Sequence, residues 1–470
     1  MTDLSTLTAT EMTEGYRKKT FSPVEITEAA LRRIEALDPA LNSFYLTTAD
    51  EARKMASESS ARWMGGQPLS LLDGVPTSIK DALPSAGSPS YRGSVAHSAD
   101  QQRFDVDAPS VARMREAGMV FLGKTTMPDF GIFASGLSSK HGVTRNPWDI
   151  TKTPGGSSAG TAVSIAAGLN PLAVGTDIVG SIRLPASFCG IFGFKPSQGR
   201  VPYYFPNSPA LVAGPMARSV HDAALLMNII SQPDGRDFTA LPFDNMRYDL
   251  VLREAFTSAR IGFIRNLGFG TMPDSEVLGT VSTAVEMLRK EGFLVQDLDV
   301  SFSPDDLRAG ERFYKARARS ELSDFAADRR AAATVVSDWS LEAESLTAID
   351  LYRDFNRLQS MRARAAALIE GFDFLILPSV HVPPFLADTP GLLPGRLFEA
   401  WINSFLFNLT EQPASSSPCG LTANGLPVGL QIVGHRFADA DVFRLSKIVE
   451  DLFEWRKVLD KMTDKLLTRV

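Results

Sequence analysis

Cysteine is scarce in this chain. Its 470 residues hold two, Cys189 and Cys419. Neither a disulfide framework nor a zinc-type spacing can be built from them. Both sit beside a glycine among apolar residues and read as buried, inert thiols. A basic excess is also missing. Lys and Arg number 48 against 54 Asp and Glu, for a net charge of −6, which offers no footprint for nucleic acid. No apolar run reaches the roughly 18 residues of a spanning helix. The first twenty residues carry Asp3, Glu11 and Glu14 and have no apolar stretch, so they do not read as a signal peptide. These absences together predict a cytoplasmic protein with no membrane and no nucleic-acid partner. The sequon Asn408-Leu409-Thr410 has no meaning in such a compartment.

Histidine is sparse as well. There are five, His97, His141, His221, His381 and His435, and no G-x-S-x-G elbow surrounds any serine. Nothing therefore points to a Ser-His-Asp triad.

Small residues are abundant instead, between residues 153 and 190. Two Gly/Ser loops stand there, Gly155-Gly156-Ser157-Ser158-Ala159-Gly160 and Gly175-Thr176-Asp177-Ile178-Val179-Gly180-Ser181. An Ala-rich apolar segment separates them. Glycine lets a backbone approach a ligand closely. Successive N–H groups in such loops can hold an anion or an oxyanion. The loops read as a site, and their serines as candidate nucleophiles.

Around them, short apolar runs alternate with helical patterns. Ser22-Pro23-Val24-Glu25 is a helix start, with Ser22 as N-cap, Pro23 at N1 and Glu25 completing a capping box. Strands are predicted at 76–80, 119–122, 172–175, 259–264, 372–378 and 427–433, and helices at 110–117, 161–167 and 220–230. Residues 305–370 read as mostly helical. The alternation predicts an α/β fold: one large α/β/α sandwich whose central sheet, mixed and mostly parallel, is covered by helices on both faces. We read 1–470 as one domain. Within it, 1–65 read as N-terminal helices, 66–220 hold the two loops, 235–365 read as mostly helical and 366–470 complete the sheet.

Gly118-Met119-Val120-Phe121-Leu122-Gly123-Lys124-Thr125 fits the phosphate-loop pattern G-x-x-x-x-G-K-[ST]. Its four variable positions are strand-forming core residues rather than a cradle, and Pro128 interrupts any helix starting at Lys124. The nucleotide-binding reading is set aside, and Lys124 is expected to be a surface lysine at a strand end.

A lysine can serve as a base if burial lowers its pKa. Lys80, at the end of the apolar run 72–79, is the candidate. The stretch from Leu72 to Pro196 resembles the amidase signature family. The resemblance rests on Leu72-Asp73-Gly74-Val75-Pro76 with Ile79-Lys80-Asp81, on the run from Gly123 to Phe130, on Arg145-Asn146-Pro147-Trp148, on the two loops and on Gly193-Phe194-Lys195-Pro196. It continues in the runs from Gly214 to Arg218 and from Gly425 to Gly434. The resemblance implies a Ser–cis-Ser–Lys triad of Lys80, Ser157 and Ser181, with a cis Gly156–Ser157 peptide. It implies an oxyanion hole from the N–H groups of Ile178, Val179, Gly180 and Ser181. Thr176, Asp177, Arg183 and Ser158 would support the loops. The resemblance also implies that 66–220 is the catalytic core and 235–365 a variable, substrate-side region. No cofactor and no metal are called for.

Two positions depart from the family pattern. Ala159 and Val179 stand where glycine is common, and β-branched Val179 suits a negative φ. In the segment before Gly214, Leu211 stands where glutaminase relatives carry an acid. An apolar side chain cannot pair a buried ammonium. The aromatic run Tyr203-Tyr204-Phe205, with Trp401, Phe405 and Phe407, suits an aryl or long acyl group. Tyr203, Tyr204, Leu211 and Phe405 are the candidate pocket residues. The resulting expectation is a hydrolase of apolar or aryl amides, with water and a small-molecule amide as its partners. Carbamate or ester cleavage and membership of a glutaminase-type amidotransferase stay open as alternatives, and so does a homodimer.

Overall fold

The computed structural model describes residues 4–98, 104–204, 209–254, 256 and 258–469. Phe205 and Pro206-Asn207-Ser208, part of the aromatic run and of the segment before Gly214, lie outside the described residues.

The strands are β1 (Phe44–Thr47), β2 (Pro76–Lys80), β3 (Val120–Thr125), β4 (Leu137–Ser138), β5 (Gly142–Val143), β6 (Leu172–Asp177), β7 (Phe192–Lys195), β8 (Val212–Ala217), β9 (Arg260–Ile264), β10 (Leu294–Leu298), β11 (Phe374–Pro378), β12 (Ala414–Leu421) and β13 (Pro427–Gly434). β4 and β5 form a small hairpin, and the other eleven build one sheet in the order β1-β3-β2-β6-β8-β7-β12-β13-β11-β9-β10. Every residue of β2, β3, β6, β8 and β13 is buried. That pattern is what a sheet covered on both faces produces.

The sheet is mixed, as expected, but it is not mostly parallel. β3-β2-β6 and β11-β9-β10 run parallel. The strands between these triplets, and the β1 edge, pair antiparallel. The reason is partly local. β12 and β13 are joined by a tight turn closed by Gly425 N–H to Thr422 O, with Gly425 at φ +76°. A parallel pair would need a crossover of a dozen residues or more. β1 is absent from the predicted strands, because four residues between two helices carry little periodicity.

The helix Pro23–Leu41 begins with the expected capping box of Ser22 and Glu25. The helices Ala159–Ala166 and Arg183–Cys189 are buried along their whole length. Small residues allow this: a Cβ on Gly160 would come within 2.3 Å of Ser43 O. Cys189 and Cys419 are buried free thiols, and burial pushes both up from the usual thiol range. No helix among the described residues is long and apolar enough to cross a membrane.

Lys124 corrects the expectation of a surface lysine. It is 1% exposed and donates from Nζ to Leu83 O at 2.6 Å. Every residue of its strand β3 is buried, so both faces of the sheet are covered there and the side chain ends inside the protein. Burial holds its pKa down to about 8. Residues 120–125 are strand rather than phosphate loop, which removes the basis of the nucleotide-binding reading.

Candidate active site

Three backbone segments meet at the C-terminal ends of the parallel neighbours β2 and β6. Ile79 pairs in register with Val174, which brings Lys80 alongside Thr176. The loop 153–158 precedes the helix Ala159–Ala166, and the loop 178–182 follows β6. Ser158 N–H donates to Ser181 O at 3.2 Å and ties the two loops together.

Lys80 is wholly buried. Its Nζ donates to Ser157 Oγ at 3.0 Å, to Ser158 Oγ at 2.9 Å and to Thr176 Oγ1 at 2.7 Å. All three partners are neutral hydroxyls. Removal from water disfavours the ammonium and holds the Lys80 pKa down to about 7, against the opposing pull of the Asp177 carboxylate. Ser158 also links the strand: its Oγ accepts from Thr176 N–H and donates to Thr176 O, both at 3.3 Å. The Gly156–Ser157 peptide is cis. Gly156 is closely packed, since a Cβ there would meet Phe133 O at 2.4 Å.

Ser181 Oγ is buried and has no hydrogen-bond partner among the described residues. It faces a cavity whose lining includes Ser157, Thr176 and Ile178. No histidine lines that cavity among the described residues, in keeping with the lack of any sequence signal for a Ser-His-Asp site.

The loop that carries Ser181 is wrapped around Asp177. Its carboxylate accepts from Gly180 N–H at 2.7 Å and Ile182 N–H at 3.1 Å. This alters the expected set of four oxyanion donors. The Gly180 N–H is taken by Asp177, whereas those of Ile178, Val179 and Ser181 make no hydrogen bond among the described residues. Val179 keeps φ out of the left-handed region, while Gly180 takes φ +128°. A Cβ at Gly180 would meet Ser404 Oγ at 2.0 Å, so glycine is required there.

Arg183 completes this brace. Both it and Asp177 have fully buried side chains. Its Nε and Nη2 donate to the Asp177 carboxylate at 3.1 and 3.0 Å. Its Nη1 donates to Gln431 Oε1 at 2.7 Å and Ser404 O at 2.9 Å. Asn408 bonds both members of the pair. Although burial favours its protonation, the Arg183 guanidinium and its hydrogen bonds hold Asp177 down to about 2. Removing one member of a buried, saturated pair leaves the other charge uncompensated. Arg183→Met is therefore expected to destabilise the protein by about 3–5 kcal/mol, seen as a lower urea midpoint. A midpoint within error of the wild type would show that the network is not structural.

Asn408 and Ser404 join this network without any signal in the sequence around them, and Gln431 joins it from the run Gly425–Gly434 that carries the family resemblance. Asn408, the first residue of the sequon, is buried. Tyr203, Tyr204 and Leu211 line the Ser181 cavity as expected. Phe405 does not: it packs against Phe398 and Phe269, and it lines an adjoining apolar cavity behind Ile178 and Val179. It enters from the 3-10 turn and short helix after residue 399, on the far side of the loop 178–182. Trp401 and Phe407 are wholly buried core residues. Met127 and Phe130, from the run Gly123–Phe130 that carries the family resemblance, also line the Ser181 cavity, as do Arg92 and Arg317, which no local motif marks for it.

The comparisons with known proteins bear on the family and the fold. The Amidase family model matches residues 25–443. The A-type subunit of the glutamyl-tRNA(Gln) amidotransferase of Anaeromyxobacter sp. (strain K) is 35% identical over 483 residues, covering 95% of this chain and 96% of that protein. A bacterial aryl acylamidase of the amidase signature enzymes superposes with a TM-score of 0.90 at 28% identity, covering 97% of this chain and 98% of that one. A 6-aminohexanoate cyclic dimer hydrolase complexed with substrate superposes with a TM-score of 0.83 at 27% identity, covering 97% and 98%. With the family model spanning most of the sequence and solved family members matching from end to end, the chain belongs to the amidase signature family of hydrolases.

Proposed function

We propose that the protein hydrolyses the C–N bond of apolar or aryl amides through an acyl-Ser181 intermediate. The observation that carries this reading is the buried Lys80 amine held on the Ser157 hydroxyl, beside an unpartnered Ser181 Oγ. A neutral lysine is an adequate base, and a pKa of about 7 keeps a large neutral fraction near pH 7.

In this reading Lys80 Nζ takes the proton of Ser157 as Ser157 takes that of Ser181. Ser181 Oγ bonds to the carbonyl carbon, and the carbonyl electron pair moves onto oxygen. The N–H groups of Ile178, Val179 and Ser181 receive that oxyanion. The tetrahedral species then collapses and the C–N bond breaks. Ser157 delivers its proton to the departing nitrogen and recovers one from Lys80. Water repeats the sequence on the acyl-Ser181 ester and releases the acid. Asp177 and Arg183 hold the donor loop in place and take no proton.

The identity with the amidotransferase chain supports a second reading, with glutamine as the amide. The cavity lining speaks against it. Among the described lining residues there is no Asp or Glu, and Leu211 stands at the wall. The ammonium of an amino acid would go unpaired there. Carbamates and esters would follow the same steps as amides.

A panel of anilides, phenyl carbamates, phenyl esters and glutamine, assayed on the purified enzyme, decides among these. Anilide turnover without glutamine turnover is expected. Glutamine turnover with no anilide turnover would overturn the reading.

A further inference from the structure

Two arginines reach the Ser181 cavity and share a single carboxylate. The helix Pro304–Ser323 places Tyr314, Arg317 and Glu321 along one face. Arg317 Cζ stands 5.4 Å from the centroid of the Tyr314 ring. Arg317 Nη2 lies 2.6 Å from Glu321 Oε1, and Arg92 Nη1 lies 2.7 Å from Glu321 Oε2. One negative charge between two positive ones leaves a net positive charge.

That charge faces the cavity. Arg92 and Arg317 both line it, together with Ser157 and Ser181, and no carboxylate does among the described residues. The Arg317 side chain is only 12% exposed. Its Nε and Nη1 are buried and, among the described residues, have no hydrogen-bond partner of good geometry, with the Tyr314 hydroxyl beside the guanidinium. Open guanidinium donors out of water are costly unless something accepts from them. The rest of the wall is largely apolar, with Met127, Phe130, Ile178 and Leu211.

We propose that Arg317, with Arg92 adding charge, binds a carboxylate on the amide substrate, so that the preferred substrates are apolar or aryl amides bearing an acid group away from the scissile bond. The assignment rests on the reading of this cavity as the amide site. A carboxylate oxygen would accept from Arg317 and supply the acceptor that its open donors lack. The apolar wall would take the body of the molecule. Glu321 keeps both guanidinium groups in place and prevents two bare cations from facing each other.

Two matched comparisons test this. The first is turnover of N-phenylsuccinamate against N-phenylbutanamide, which lacks the terminal carboxylate. The second is calorimetric binding of 3-phenylpropanoate against 3-phenylpropan-1-ol, which needs no chemistry. Wild type is expected to favour the acid in each pair by about tenfold or more, the usual worth of a charged hydrogen bond. In Arg317→Met both ratios should fall to near one, and Arg317→Lys should restore part of them. Equal values for acid and neutral partner in wild type would overturn the proposal. So would a preference that survives in Arg317→Met, because the acid would then be held on the oxyanion donors. Failure of both anilides to turn over would count against the aryl amide reading instead, and the calorimetric pair would still decide the role of Arg317.

Discussion

The activity of this enzyme is expected to rise with pH through about 7 and then level off, and Lys80→Met is expected to abolish it. Both follow from the surroundings of one side chain. Lys80 is buried, faces hydroxyls rather than a carboxylate, and has its pKa held down to about 7 by loss of hydration. The sign of the pH effect is set by which form works. In the proposed mechanism the base is the neutral amine, so protonation below pH 7 removes it. The rate kcat/KM should fall by about tenfold for each pH unit below that point. The opposite limb, falling as pH rises through 7, would mean that the protonated lysine is the working form. In Lys80→Met the apolar chain fills the space of the lysine stem but takes no proton. A loss of about 10³-fold or more in kcat/KM is expected. Turnover within tenfold of wild type would require another base.

The second large effect is that of Ser181→Ala. Its hydroxyl has no hydrogen-bond partner among the described residues, so its removal strands no donor or acceptor there. The loop around it is held by Asp177 and Arg183, which do not depend on the Ser181 side chain. The variant should fold like wild type, with an unchanged thermal midpoint. Its kcat should fall by about 10⁴-fold or more, because loss of the nucleophile removes the covalent route altogether. Ser157→Ala gives a useful contrast. It keeps the nucleophile but deprives it of the hydroxyl that Lys80 touches. Members of a proton relay act as a unit, so the double variant should be little worse than either single one. Losses that simply multiply would indicate independent roles.

The parts of this site that are legible in the sequence are those carried by local motifs. Lys80 ends a strand whose five residues are all buried, and the apolar run 72–79 marks it. Ser157 and Ser181 sit in small-residue loops on either side of a buried helix and strand, and the glycines around them mark the close packing found there. The Asp177–Arg183 pair is legible for the same reason, because its members stand six positions apart. What is not legible arrives from elsewhere in the chain. Asn408 and Gln431 reach Arg183 across more than two hundred residues, and although Gln431 lies in a run that carries the family resemblance, nothing in that run points to Arg183. In the sequence, Arg317 is one more arginine on a charged helix. Only the fold turns it toward Ser181. Lys124 shows the converse failure. A strand-end lysine normally reaches water, but every residue of β3 is buried and both faces of the sheet are covered there. The sheet direction departs from expectation because alternation of strands and helices implies crossovers throughout, whereas the centre of the sheet is antiparallel.

Everything proposed for this site depends on acylation of Ser181. Intact-mass measurement after mixing the enzyme with a slowly deacylating aryl ester or anilide tests it directly, followed by peptide mapping of the modified chain. One acyl mass is expected on wild type, located on Ser181, and none on Ser181→Ala. An adduct that persists in Ser181→Ala, or that maps to Ser157, Ser158 or another residue in wild type, would contradict the mechanism.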